Sequence, residues 1–448
     1  MLPPGPSEIP LIQFLNFSVH PFRYLDACSR EFGEQFTLRL MGYGDFVVFS
    51  NPKDVEAIFT GSPNILHSGE TISKVFQVIF GPHSVVILDG EPHKEQRQLL
   101  MPPFHGEGIR VHVATIAQTC ETMFGSWPKS RRIRLSSYIR NVTLDIILKT
   151  IFGVTGEETG VLRKVFARFL KNLLHPVSIV AMELPRWFSK SGAQWLFPVR
   201  RLRTVDREIH RLIQERRTNP ELPSLNDVLS ILLRAVHDDG SPMTDPEVRD
   251  ELLTLLIAGT ESTTVAIEWA LRDILAHPPV YEKVCGEILA TTNGKSVSAD
   301  DLGNLKFLDA AITESLRLHP VIPWVARKLT ADFQVRGTTF PKGTVLSPSI
   351  YLVHRRPDLY PDPGQFKPQR FLSKKLDPFT WFPFGGSNRR CIGMALAIVE
   401  MKVILATLFQ RFQMTLLRPP AQVKPVRRGL LWAPSDSAQV VIEAGDRT

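Results

Sequence analysis

The spacing of apolar positions changes character along the chain. Two short β-like runs, "QFTLRL" and "FVVFS", flank the stretch "MGYGD" within the first fifty residues and predict two strands around a turn. "NPKDVEAIF" then opens a helix with Asn51 as its cap. From about residue 108 to 415 the apolar residues recur mostly at helical spacing, with breaks near Pro176, Pro185, Pro198, Pro220, Pro278 and Pro320. β-like pieces return in "DFQVRGTTF", "TVLSPS" and the C-terminal "QVVIEA". The longest helical stretch runs from about Asp245 to His277. "TDPE", Thr244 to Glu247, reads as a capping box with proline in the first turn, and Pro278-Pro279 ends the helix. At about 1.5 Å per residue it spans about 50 Å, enough to cross the molecule. The pattern predicts a mainly α fold with a small β component. No repeat, low-complexity segment or long linker divides it, so residues 1–448 read as one domain.

Composition narrows the class. With 43% hydrophobic and 22% charged residues in 448, the chain is an ordinary globular one with a large core. Its net charge of +8 is spread out, without a basic run or tail. That disfavours nucleic acid as a partner and fits an acidic protein or an anionic membrane surface. No stretch approaches the ~20 apolar residues that span a bilayer, and "MLPPGPSEIP" has neither the basic start nor the apolar core of a signal peptide. Cys28, Cys120, Cys285 and Cys391 lie far apart. This argues against a disulfide framework or a zinc site and for a reducing, cytoplasmic compartment.

The most informative segment is "FPFGGSNRRCIG", Phe382 to Gly393. It sets Cys391 at the end of a Gly-rich loop, directly before the helical pattern "MALAIVEMKVILATLFQRF". A thiolate there faces unpaired N–H groups and the positive end of a helix dipole, both of which favour the deprotonated sulfur. The glycines allow a flat partner to approach closely. Arg389 and Arg390 can meet carboxylates. These features describe an axial ligand to haem iron.

The loop resembles the haem-binding loop of the cytochrome P-450 family, F-x-x-G-x-R-x-C-x-G. Phe384, Arg389, Cys391 and Gly393 fit, and Ser387 departs where the pattern has glycine. The resemblance implies the family's fold, with haem b (iron protoporphyrin IX) between a long central helix and the cysteine loop. Membrane-anchored members carry a proline-rich hinge after their anchor, and Pro3-Pro4-Gly5-Pro6 resembles it. A soluble protein of a bacterial, cyanobacterial-like branch is the simpler reading.

The centre of the long helix, "LLIAGTESTT", places small Ala258 and Gly259 in an apolar run, where glycine costs about 1 kcal/mol against alanine. Close approach of a planar ligand would offset that cost. Ser262 lies one turn after Ala258, beside Glu261. The segment resembles the family's A/G-G-x-D/E-T-T/S. The resemblance assigns Glu261 as the acid and Ser262 as the alcohol that deliver protons during oxygen activation, with Thr263 assisting. Serine for threonine keeps the hydroxyl and loses the rotamer-fixing methyl. Glu314 and Arg317 in "TESLRLHP", with Arg370 in "FKPQRF", resemble the E-x-x-R helix and its partner arginine, a structural network behind the cysteine loop.

Haem carries two propionates. His93 and Arg97, Arg327, and Arg389 match family positions that meet them, with His105 as an alternative to His93. Family analogy places an apolar substrate pocket along Phe76, Phe80, Val86, Leu255, Ala258, Val321, Ile322, Trp324, Leu430 and Leu431. Residues 173–188 read as a lid whose Trp and Phe make peripheral membrane contact. The implied activity is monooxygenation of a fatty acid or terpenoid-like substrate with dioxygen. Electrons would come from a ferredoxin or flavodoxin with its reductase, docking on Lys94, Arg390, Lys367, Lys374 and Lys375. A peroxygenase or lipid-oxide isomerase, and a non-enzymatic haem or lipid-binding protein, are the rival readings.

Overall fold

The β-like runs near the start form the antiparallel hairpin Gln35–Leu40 and Gly44–Phe49 in a computed structural model that describes residues 2–72, 74–127, 131–173, 197–373 and 376–443. Gly44–Phe49 also pairs in parallel with Val345–Pro348, which continues to Arg327–Leu329 and Leu66–His67 and completes a five-stranded sheet. Successive side chains point to opposite faces of a strand. Phe46 and Val48 accordingly join Phe36 and Leu38 in one apolar cluster, while Val47 and Phe49 join Leu329 and Leu346 in another. Smaller sheets pair Phe333–Val335 with Thr338–Phe340, Pro425–Arg428 with Leu431–Pro434, and Gln439–Glu443 with Arg131–Arg134 and Gln413–Leu416.

Helices are mixed with these strands in the first hundred residues. Helices Pro10–Val19, Pro21–Phe32 and Pro52–Thr60 each start at a proline, whose fixed φ suits a first helical turn. Asn51 caps the third by accepting the Lys53 N–H at 2.9 Å. The main core packs Glu107–Gly125, Leu135–Thr150, Glu157–Leu173, Pro278–Thr292, Lys306–Leu318 and Met394–Arg411 around one long helix, Asp245–Leu275. This crossing helix has 31 residues, and its capping box is complete. It stops two residues short of the expected end, and Pro278 and Pro279 begin the next helix. Cys28, Cys120 and Cys285 lie in helices, and all four cysteines are free. Among the described residues no helix is long and apolar enough to cross a membrane. The lid expected at residues 173–188 lies outside the described residues, apart from Leu173 at a helix end.

A buried ionic network fixes the segment that leads to the cysteine loop. Arg317 donates from Nε to Glu314 Oε2 at 2.7 Å and from Nη2 to Oε1 at 2.9 Å. Arg370 Nε and the Lys367 N–H also donate to Glu314 Oε1, each at 2.9 Å. Arg317 Nη1 reaches the carbonyls of His354 and Pro363. His354 Nε2 in turn accepts the Phe382 N–H at 3.0 Å, at the start of the loop. Burial among cations lowers the His354 pKa to about 3, which keeps the ring neutral and that nitrogen an acceptor.

The helix after the loop carries a different kind of buried acid. Among the described residues Glu400 Oε1 has no hydrogen-bond partner, and burial raises the carboxyl to a pKa of about 8. Between 4.5 and about 8 the folded chain therefore holds a proton that the unfolded chain releases, and stability falls as pH rises through that window. Glu400→Gln should remove this slope, adding on the order of a few kcal/mol at pH 8 and little below pH 4.5 in denaturant titrations. Glu314→Ala should cost about 3–5 kcal/mol in the same assay, because it strands the Arg317 charge.

Candidate active site

The loop reaches Cys391 through a tight turn. The Cys391 N–H donates to the Phe384 carbonyl at 2.9 Å, and Gly393 then caps Met394–Arg411. A Cβ on Gly386 would lie 2.2 Å from carbons of the Phe59 ring. The flat partner that this glycine admits is thus Phe59. Ser387, at the position where the sequence departs from the pattern, has a φ of +61°. That left-handed conformation suits glycine and strains a residue with a Cβ.

Cys391 retains accessible surface, yet it lies deep among protein atoms. Burial raises its thiol above the ordinary value, opposed by the Gly393 N–H and by the guanidinium groups of Arg97 and Arg390. The Gly393 N–H at the helix N-terminus lowers this pKa, as expected, but burial outweighs it. Metal coordination favours the deprotonated sulfur.

Four basic residues gather on one side of the loop. His93 is buried, with a pKa lowered to about 3 by burial and by the charges of Arg389, Arg97 and Arg327. Arg327 and Arg389 each fall to about 10, again through burial and a neighbouring arginine. Among the described residues, Arg327 donates only to Ser68 Oγ at 3.2 Å and the Ala326 carbonyl at 2.9 Å. Among the described residues, neither Arg97 nor Arg327 has a carboxylate within salt-bridge distance. Arg389 pairs with Asp89 and donates to the Val85 carbonyl at 3.1 Å. His105, the alternative to His93, is exposed and bonds the Met101 carbonyl. A concentration of cations that depress one another asks for anionic groups from elsewhere. Together with a cysteine thiol on a loop, it fits haem b, whose two carboxylates would meet the arginines while the sulfur holds iron.

On the crossing helix the accessible strip is Leu255, Ala258, Gly259 and Ser262, while Leu256 and Thr260 beside it are fully buried. A Cβ on Gly259 would meet Ile147 Cδ1 at 2.8 Å, so this glycine lets the crossing helix pack closely on Leu135–Thr150. Ala258 is the small residue left open. Ser262 Oγ donates back to the Ala258 carbonyl at 2.5 Å. Glu261 is buried and held by Arg140, whose Nη2 donates to Oε2 at 3.3 Å. Thr263 is buried one position further round.

The expected substrate residues divide. Phe76 and Phe80 stack with centroids 5.9 Å apart, and Val86 is half-buried near the loop that Arg389 holds. Val321 is buried, and its carbonyl accepts the Trp432 N–H at 3.1 Å. Ile322 and Leu430 are exposed, whereas Leu431 is buried in the main core. Trp324 packs on Phe17 at 4.3 Å in the N-terminal cluster, so its role is packing there. Of the basic docking residues, Lys94 pairs with Glu91 at 3.0 Å and Lys367 with Asp362 at 2.7 Å, while Arg390 is exposed. Lys374 and Lys375 lie outside the described residues. Sequence reasoning missed Asp89, Arg140 and His354. Asp89 had one local signal, its place just before the helix Gly90–Leu100.

The cytochrome P450 family model matches residues 3–440. Two similar proteins of Mycobacterium tuberculosis are described as "Putative cytochrome P450 135B1" and "Putative cytochrome P450 135A1". They are 33% and 34% identical to this chain, over 99% and 98% of it and 92% and 94% of their own lengths. The retinoic acid-bound structure of cyanobacterial CYP120A1 superposes with a TM-score of 0.84 at 27% identity, covering 99% of both chains. The heme domain of cytochrome P450DA shares the fold, with a TM-score of 0.85 at 20% identity.

Ser387→Gly should relieve the left-handed strain in the loop and stabilise the protein by about 1 kcal/mol, read as a raised thermal midpoint. An unchanged or lowered midpoint would show that the serine hydroxyl compensates.

Proposed function

The chain belongs to the cytochrome P450 family, the haem b monooxygenases that use dioxygen and electrons from a redox partner, and from that premise we propose specific roles for its residues. Cys391 would hold the haem iron through its sulfur. Arg97, Arg327, Arg389 and His93 would hold the propionates, and Phe384 and Ala258 would contact the cofactor. Bound haem supplies the iron at which dioxygen is reduced and an unactivated C–H bond is hydroxylated. The gathering of cations around a deep cysteine carries this reading.

Glu261 and Ser262 relay protons into the site, with Thr263 in support. Ser262 must first release the Ala258 carbonyl, a rotation about χ1 that serine makes more freely than a β-branched threonine. Arg140 fixes the Glu261 carboxylate at the far end of this relay. The substrate is apolar and fatty acid or terpenoid-like, held by Leu255, Phe76, Phe80, Val86, Val321 and Ile322. The retinoic acid bound to the cyanobacterial neighbour supports a terpenoid acid among the first compounds to try. Electrons come from an acidic ferredoxin or flavodoxin approaching exposed Arg390. Residues 1–448 act as one catalytic unit. Four free cysteines, two of them buried, fit a cytoplasmic setting.

Reduced protein under carbon monoxide should absorb at the long-wavelength position of thiolate ligation, and Cys391→His should lose that band while retaining haem. Retention of the band in the variant removes Cys391 from the iron. With the wild type, terpenoid acids and fatty acids should displace the resting spectrum in titrations, and a failure of both classes rejects the substrate proposal.

A further inference from the structure

Asp89 stands inside the cationic cradle with an unusual set of donors. Its Oδ1 accepts the N–H groups of Ser68 at 2.7 Å and Gly69 at 3.0 Å, and Oδ2 accepts the Glu70 N–H at 3.1 Å. Arg389 donates to Oδ1 as well. Asp89 acts favourably on the Arg327 charge too, so it serves two of the three arginines at once. A side chain needed only to cap Gly90–Leu100 would not be directed to a separate backbone segment and a guanidinium.

The charges around it can be counted. Arg97, Arg327 and Arg389 contribute three positive charges, and His93 is neutral in its buried setting. Glu70 and Lys328 at the rim cancel each other at 3.1 Å, with His67 beside Glu70 at 2.9 Å and 3.8 Å from Asp89. Arg390 is exposed on the cysteine side, where solvent screens it. Two propionates bring two negative charges, one short of the arginines. We infer that Asp89 is a positioning residue for haem, the third anion that balances the cradle and thereby sets the reduction potential of the cofactor.

The inference rests on assigning the arginines to the propionates. Replacing Asp89 with a neutral residue leaves one positive charge in excess near the cofactor. Excess positive charge favours the form with one more electron, so haem becomes easier to reduce. Removing one arginine has the opposite effect. A helix cap or a loop tether alone moves neither quantity in a sign-dependent way.

The experiment is a spectroelectrochemical titration of substrate-free holoprotein, with haem transfer to apomyoglobin measured in parallel. The samples are the wild type, Asp89→Asn, Arg327→Gln and the double variant. Asp89→Asn should shift the midpoint positive, by a several-fold change in the reduction equilibrium. Arg327→Gln should shift it negative, and the double variant should return towards the wild type. Unchanged midpoints in both single variants, or shifts of the same sign, overturn the inference. If Asp89→Asn does not hold haem, recovery of haem retention in the double variant supports charge balance, and equal loss there overturns it. The carbon monoxide band of the wild type separates these outcomes from failure of the cysteine assignment, because the midpoints are compared only among proteins that show thiolate ligation.

Discussion

Glu314 and Arg317 have no exposed surface, and the place of the cysteine loop depends on them. Taking two charges out of water costs several kcal/mol for each, and only a full set of partners repays it. That set is present. The two oxygens of Glu314 accept from Arg317 twice, from Arg370 and from the Lys367 N–H, and Arg317 spreads its remaining donors over the carbonyls of His354 and Pro363. The network therefore binds three separate stretches of backbone. Neutral His354 continues it to the Phe382 N–H, from which the loop turns towards Cys391.

The cradle around Arg327 reverses this logic. Its cations are also withdrawn from water, but the protein supplies them with one carboxylate, Asp89, and a few neutral acceptors. Each arginine depresses its neighbour, and His93 cannot take up a proton beside them. A buried charge with its partners complete belongs to the scaffold. A buried cluster with partners lacking is held by the rest of the fold for a ligand that brings them. A metal cation bound there would favour the thiolate against the burial that raises the Cys391 thiol.

How much could be read from the sequence followed the reach of each signal. The Asn51 cap, the Thr244 capping box and the Glu314–Arg317 pair join residues at most a few positions apart, and the hairpin joins neighbouring strands across a short turn, so local spacing reveals them. The cysteine loop and the arginines were legible through a pattern, since their partners are far away in the chain. Asp89, Arg140 and His354 act over 300, 121 and 28 residues, and a single polar residue carries no periodicity that would mark such a role. Glycines were legible only in part. Gly386 and Gly259 do announce close approach, but the neighbours are Phe59 and Ile147, side chains that only the folded arrangement identifies.

The crossing helix shows why adjacency in sequence does not amount to a relay. Glu261 and Ser262 differ by about 100° around the helix axis. One lies buried against Arg140 and the other on the accessible strip with Ala258. No hydrogen bond joins them in the described structure; the serine instead donates to its own helix. A proton passing between them thus requires side-chain rotation at both ends. Arg140 opposes the movement of the acid, and the missing methyl of Ser262 eases that of the alcohol. In the proposed relay, the balance of these two restraints, rather than the presence of the acid–alcohol pair, would set how readily it opens.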